Sequence, residues 1–331
     1  MRRPPPRRTV LTAALGAALA SVLDGCDRLP GLRAPGFRAP RSALDTGGPA
    51  PAATVTAATG PVLVPAEPRR VVVLDTAELD SAMTLGITPV GACRPAADPG
   101  LPDYWPPARL AEIAPTGTVG APDPAAIAAL RPQLILGSLL RDGDRFQQLR
   151  AIAPTVLTHT TGSPWKENVQ LHARALGRQA AAETVAEAYR GQLAQTLRAL
   201  GGPGATAGRR ISLVRFVPGG RIRLYGRQNF PGSVLADLQL GRPEAQNADR
   251  FALEVPPDQL AGADGDLLLY AVHGDPDAAG ATAVLTGAGW QSLGAVRARR
   301  AFRVDDRLWF EGIGYTGADQ LLAQLRCLLG A

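Results

Sequence analysis

Lysine occurs once in this 331-residue chain, at Lys166, histidine three times, at His159, His172 and His273, and cysteine three times, at Cys26, Cys93 and Cys327. These scarcities exclude whole classes of chemistry. No two histidines stand at metal-ligand spacing, and neither Cys-x-x-Cys nor His-Glu-x-x-His occurs, so no metal site is expected. There is no Gly-x-Ser-x-Gly elbow and no P-loop, and no other residues form a catalytic set. No apolar run reaches the roughly twenty residues that a membrane span requires. Cys93 and Cys327 are expected to stay apart as small apolar side chains.

Positive charge is present but unevenly placed. The formal net charge is +6, yet residues 1–53 hold eight Arg and three Asp, which leaves +1 on the remaining 278 residues. A near-neutral folded part does not carry the basic face that a nucleic-acid partner needs, so none is expected. The N-terminal segment reads instead as an export signal. Arg7-Arg8-Thr9-Val10-Leu11 fits the twin-arginine pattern, and the apolar run from Val10 to Leu23 is too short to span a bilayer. Leu23-Asp24-Gly25-Cys26 closes it as a lipoprotein cleavage site, with Asp24 an atypical member and Cys26 the residue to be acylated. Residues 1–26 are therefore read as signal. Residues 27–53, rich in Pro, Ala and Gly, are read as a tether, because they bury too little apolar surface to offset ordering entropy.

Beyond the tether, short β-branched runs alternate with helical segments. Strands are expected at 70–74, 87–92, 133–137 and 155–157, and helices at 78–85, 124–130 and 146–152. Residues 165–200 read as a long helical connection interrupted only by Gly177 and Gly191, and Gly201-Gly202-Pro203-Gly204 ends it. Alternation resumes with strands at 211–216, 221–225, 267–270 and 301–304 and helices at 232–238 and 318–329. The expectation is an α/β protein of two Rossmann-like lobes, residues 54–164 and 201–331, joined by one long helix. Ligands in such folds sit where strand ends face each other across the lobes. A stiff connection predicts small lobe motion on binding.

Several segments resemble a known family. Pro68-Arg69-Arg70-Val71-Val72-Val73-Leu74-Asp75, then Glu78-Leu79-Asp80-Ser81-Ala82 and Leu85-Gly86-Ile87-Thr88-Pro89-Val90-Gly91-Ala92, resemble the opening strand-helix-strand of ABC-transporter solute-binding lipoproteins for ferric siderophores and vitamin B12. Ile127-Ala128-Ala129-Leu130-Arg131-Pro132-Gln133-Leu134-Ile135 resembles a further family segment, with Gln133 in place of the usual Asp. Ile152-Ala153-Pro154, Trp165-Lys166-Glu167-Asn168, Trp290-Gln291-Ser292-Leu293-Gly294 and Arg303-Val304-Asp305 continue it in order. Ile222-Arg223-Leu224-Tyr225-Gly226, Asn229-Phe230-Pro231-Gly232 and Trp309-Phe310-Glu311-Gly312 look like the iron-siderophore branch.

The resemblance implies a class III solute-binding architecture and a monomeric, lipid-anchored receptor that captures a hydroxamate-like ferric siderophore for an ABC importer. Cobalamin or haem carriage is the alternative within binding proteins, and a secreted α/β enzyme using Asp75, Glu78 or Asp237 is the alternative outside them. Iron would arrive enclosed by its siderophore, so no cofactor and no enzymatic activity are expected. Such a ligand calls for Arg donors to its outer oxygens and aromatic faces for its spacers. Arg223 and Tyr225 alternate in one strand and so share a face; Arg215, Trp165, Trp309, Tyr315, Arg94 and Arg141 complete the candidate set. For permease docking, the resemblance places Asp258 at the acidic position of the second lobe. In the first lobe Ala125 stands where an acid is usual, leaving Asp123 as the substitute. Gly312-Ile313-Gly314-Tyr315-Thr316-Gly317 matches the dinucleotide fingerprint, but the chain lacks the strand and distant acid of a Rossmann unit, so these glycines are expected to serve a tight loop or a close backbone approach.

Overall fold

Val71-Val72-Val73 forms a strand buried on both faces, because β-branched side chains suit a pleated surface covered by helices on either side. In a computed structural model describing residues 52–330, this strand, β3, lies inside a six-stranded sheet of order β6-β5-β4-β3-β7-β8. The other strands are β4 (Gly91–Arg94), β5 (Ala114–Thr118), β6 (Ala121–Pro122), β7 (Leu134–Ser138) and β8 (Thr155–Thr158). All pairs are parallel except β5 with β6. Gln133, at the family's Asp position, accepts hydrogen bonds from Arg69 N at 2.8 Å and Arg70 N at 3.1 Å, so the amide holds the entry to β3 as a carboxylate would. An antiparallel hairpin of β1 (Ala52–Ala57) and β2 (Gly60–Pro65), which the sequence reading did not anticipate, docks on β8 through Ala58 N to Leu157 O.

The second sheet has the order β11-β10-β9-β12-β13. It comprises β9 (Ile211–Val217), β10 (Arg221–Tyr225), β11 (Ala252–Val255), β12 (Leu267–Val272) and β13 (Ala301–Arg303). β9, β12 and β13 are parallel, whereas β10 and β11 pair antiparallel as an edge meander. Alternation divides the side chains cleanly. Leu213, Tyr225 and Leu269 enter one core with the C-terminal helix Tyr315–Leu329, while Val214, Phe216, Ile222 and Leu268 enter another on the opposite face.

The connection departs from one unbroken helix. Residues Trp165–Leu176 form a first helix that ends at Gly177, whose φ of 65° is left-handed and whose added Cβ would lie 2.0 Å from Ala66 O. That position admits only glycine, so the helix stops there. A second helix, Gln179–Ala199, follows; Gly191 does not interrupt it, and nothing lies within 4 Å of its would-be Cβ, so no close contact requires glycine there.

Candidate ligand-binding cleft

The strand ends of both sheets converge on one cleft, and each delivers a charged side chain there. On the first-lobe wall, Asp75 follows β3 and caps the helix Thr76–Thr84, while Ser138 ends β7 and leads into Leu139, Leu140 and Arg141. Arg141 Nε meets Asp75 Oδ2 at 2.5 Å, which links the two strands that flank the topological switch point. Beneath this pair Glu78 is fully buried with neither carboxylate oxygen partnered. Burial, reinforced by Asp75, pushes its pKa well up. Burial also pushes Asp142 up to about 6. Leu139 and Leu140, exposed at 39% and 70%, give the same wall an apolar patch.

On the second-lobe wall, Arg215 from β9 is the centre of a four-group cluster. Its Nε donates to Asp306 Oδ1 at 2.6 Å and its Nη2 to Asp306 Oδ2 at 2.5 Å. The same Nη2 lies 2.9 Å from His273 Nδ1 and 3.3 Å from Glu311 Oε1. The guanidinium stacks 4.9 Å from the centroid of Phe310, which packs in turn 4.6 Å from Tyr225. Burial acts to raise the Asp306 pKa, but hydrogen bonds from His273 and Arg215 outweigh it and hold this carboxyl below its usual range. Burial raises Glu311 despite Arg215 beside it. A cavity of about 430 Å³ is lined by Asp98 of the first lobe and by Arg303, Asp305, Asp306, Arg307 and Glu311 of the second, among others. Arg307 bonds Asp98 of the first lobe and closes one side of it.

The sequence-chosen residues fall into three groups. Arg94 ends β4, Arg141 follows β7 and Arg215 lies within β9; Arg215 spends Nε and Nη2 on protein acceptors, and Arg94 spends one donor on Ile113 O at 2.7 Å. Arg223 and Tyr225 do share a face, and Arg223 is in register with Arg215 on one neighbour and Glu254 on the other. Arg223 is paired to Glu254 at 2.8 Å, and Tyr225 is 2% exposed. Trp165, Trp309 and Tyr315 are core residues in this structure. Trp309 donates to Gln324 at 2.7 Å, Trp165 donates to Ser233 at 2.8 Å, and Tyr315 packs edge-on to Trp165. An indole whose N–H already has a partner fits burial. His273, Arg303, Asp306, Arg307 and Glu311 were missed. Arg303 and Glu311 stood in segments that carried the resemblance without being chosen; Arg303 ends β13, Asp306 and Arg307 follow it, and His273 directly follows β12.

The glycine fingerprint also finds its occupant. Asp80 reaches from the first lobe to the N-terminus of the helix Tyr315–Leu329, accepting from Thr316 N at 3.4 Å and Gly317 N at 3.2 Å, with Tyr104 Oη at 2.9 Å and Thr84 Oγ1 at 3.0 Å. A Cβ on Gly314 would lie 2.0 Å from Asp80 Oδ1. The seat that holds a phosphate in a dinucleotide fold is here filled by a carboxylate of the chain itself. Cys93 is a free, buried thiol against Thr116 O, unpaired with Cys327.

Two parallel-centred sheets, a helical connection and a cleft at the strand ends define a solute-binding architecture. The chain belongs to the periplasmic binding protein family, whose model matches residues 71–308. It is 30% identical over 270 residues to Bacillus subtilis YfiY, named a probable siderophore-binding lipoprotein, covering 78% of this chain and 82% of that one. It is 27% identical over 271 residues to the achromobactin-binding periplasmic protein of Dickeya dadantii, covering 80% and 87%. Among solved structures it superimposes on Staphylococcus aureus SirA complexed with staphyloferrin B with a TM-score of 0.75 at 24% identity, over 84% of this chain and 98% of that one. That likeness carries the fold.

Proposed function

We propose that this protein is an extracytoplasmic receptor that captures a ferric siderophore and delivers it to an ABC importer, without enzymatic turnover. The observation that supports this best is the cleft: arginines and apolar side chains stand at the strand ends, and relatives over most of the chain's length are named for siderophores. The lining bears on the ligand's charge. Asp98, Asp305, Asp306 and Glu311 offset Arg303, Arg307 and Arg215, leaving no excess of positive charge for a highly anionic complex. A hydroxamate-like complex of low charge suits that balance. Tryptophan-fluorescence titration with ferrioxamine, a ferric tricatecholate, ferric citrate, cobalamin and haem is expected to show saturable binding by a ferric complex and none by the last two. Failure of every ferric complex below high micromolar concentrations sinks the reading.

Delivery is proposed to use a monomer tethered through acylated Cys26. That residue, the signal and the tether up to residue 51 lie outside the described residues, whereas Ala52 and Ala53, read as the end of the tether, already belong to β1; among the described residues no helix is long and apolar enough to cross a membrane. Asp258 is exposed in the first turn of the 3-10 helix Pro257–Ala263. Asp123 is exposed and caps the helix Pro124–Ala129 through Ala125 N at 2.9 Å and Ala126 N at 3.2 Å. Charged contacts of this kind fix the orientation of docking. Cells carrying Cys26→Ala or Asp258→Asn are expected to take up ferric siderophore more slowly although the purified variants bind it normally; uptake at the wild-type rate removes those roles.

A further inference from the structure

The segment between β4 and the short helix Pro107–Leu110 reaches out of the first lobe and touches the second at two points. The Ala97 Cβ lies 3.1 Å from where a Cβ on Gly274 would stand, and the left-handed φ of 73° at Gly274 suits glycine. Asp98 Oδ1 accepts from Arg307 Nη2, and the guanidinium lies against Gly100, where an added Cβ would come within 2.5 Å of that same nitrogen. The far end of the segment is fixed: Tyr104 donates to Asp80 at 2.9 Å, and Trp105 is buried in the first-lobe core. Among the described residues that line the cavity, Asp98 alone comes from the first lobe. Its hydrogen bond from Arg307 holds the Asp98 carboxyl below the usual range, so the pair is ionised at neutral pH. The contact leaves the arginine half used. Asp98 takes Nη2 through one oxygen, whereas Nε is buried and has no hydrogen-bond partner among the described residues. A guanidinium edge offers two parallel donors, and an anion with paired oxygens takes both.

We propose that Asp98 is a specificity-determining residue: reaching across from the first lobe, it occupies Arg307 and so penalises ferric complexes that present free carboxylates or other anionic oxygens to that arginine. Such a ligand has to displace a carboxylate of the chain before it gains the guanidinium. Once displaced, the Asp98 charge still lines the same cavity as Asp305, Asp306 and Glu311, where like charges repel. A complex with uncharged outer oxygens makes no such demand and leaves the pair in place. The inference rests on the ferric-siderophore reading and assigns the preference for low charge to one residue. The pair is open to water on one side, with Asp98 45% and Arg307 28% exposed, so the penalty is modest.

The test titrates two ferric complexes, ferrioxamine, which carries no net negative charge, and ferric citrate, which is anionic with free carboxylates. Wild-type protein is expected to favour ferrioxamine. Asp98→Asn is expected to shift the ratio of the two affinities about fivefold to tenfold toward ferric citrate, chiefly by tightening the citrate complex. The same substitution made together with Arg307→Gln is expected to shift the ratio little relative to Arg307→Gln alone, because the arginine that Asp98 withholds is gone. A gain in affinity itself reports that Asp98→Asn folds, and thermal unfolding reports it for the other variants. An unchanged ratio, or an equal shift in the Arg307→Gln background, overturns the role of Asp98, and ferrioxamine binding then leaves the receptor reading standing. Binding of ferric citrate alone, tightened by Asp98→Asn only where Arg307 is present, supports the role and counts against a low-charge cargo. Binding of neither complex by any variant overturns both.

Discussion

Trp165→Ala is expected to lower stability by about 3–5 kcal/mol, the range for removing a large aromatic from a packed core. The indole opens the helical connection, is 2% exposed, and meets rings from three directions: Tyr315 at 4.9 Å, Phe230 at 5.5 Å and Tyr189 at 5.8 Å between centroids. All three contacts are edge-on, the geometry in which the positive rim of one ring faces the negative face of the other. Ser233 would also lose the indole N–H donor at 2.8 Å. Because Phe230 and Tyr315 belong to the second lobe and Trp165 begins the connection, the cavity would open at the joint. Urea denaturation measures it as a lower midpoint at an unchanged slope. A loss below about 1 kcal/mol would show that the joint repacks and that this cluster does not hold it.

Asp80 carries the second large effect, through pH. Burial is the main cause that raises its pKa from 3.8 to about 6, with the hydrogen bonds from Tyr104, Thr84 and the helix N-terminus acting the other way. The folded state therefore holds the proton more tightly than the unfolded chain. Stability from this group is complete below about pH 4 and is lost as pH rises through about 6, a swing of ~3 kcal/mol at 1.36 kcal/mol per pH unit. Asp142, at about 6, and Asp319, at about 7, act in the same direction. Asp80→Asn keeps the shape and removes the titration, so its unfolding free energy is expected to fall less steeply between pH 4 and 6 than that of the wild type. Parallel profiles would show that Asp80 does not titrate in this range.

Much of the fold was legible because its signals are local. Val71-Val72-Val73 and Leu134-Ile135-Leu136 read as buried strands, and the strand Arg221–Tyr225 was expected at its observed bounds. The hairpin Ala52–Pro65 was not, because its apolar positions are sparse, with Val55 and Val64 buried but Leu63 exposed. The break at Gly177 was marked by the glycine, yet a lone glycine does not reveal that Ala66 O comes close to it. The cleft was harder to read. Trp165, Trp309 and Tyr315 drew attention as aromatics, a residue type equally suited to a core. His273, Asp306 and Glu311 gave no spacing signal, since convergence of strand ends is a property of sheet order. Asp80 lay in a segment that carried the resemblance, but nothing local marked its reach: its partners Thr316 and Gly317 lie 236 and 237 residues away.

That separation has a consequence for how the chain comes to its final form. Each sheet is built from one continuous stretch, so each is able to form as its residues appear, the first ahead of the second. The carboxylate seat at Gly314 and Gly317 cannot be filled until the last helix exists. Until then Asp80 keeps Tyr104 and Thr84 as donors but lacks its far ones, and the two lobes are joined only through the helical connection. The fifteen-residue helix Tyr315–Leu329 is thus expected to dock last, and with it the mutual orientation of the lobes and the cleft that depends on it.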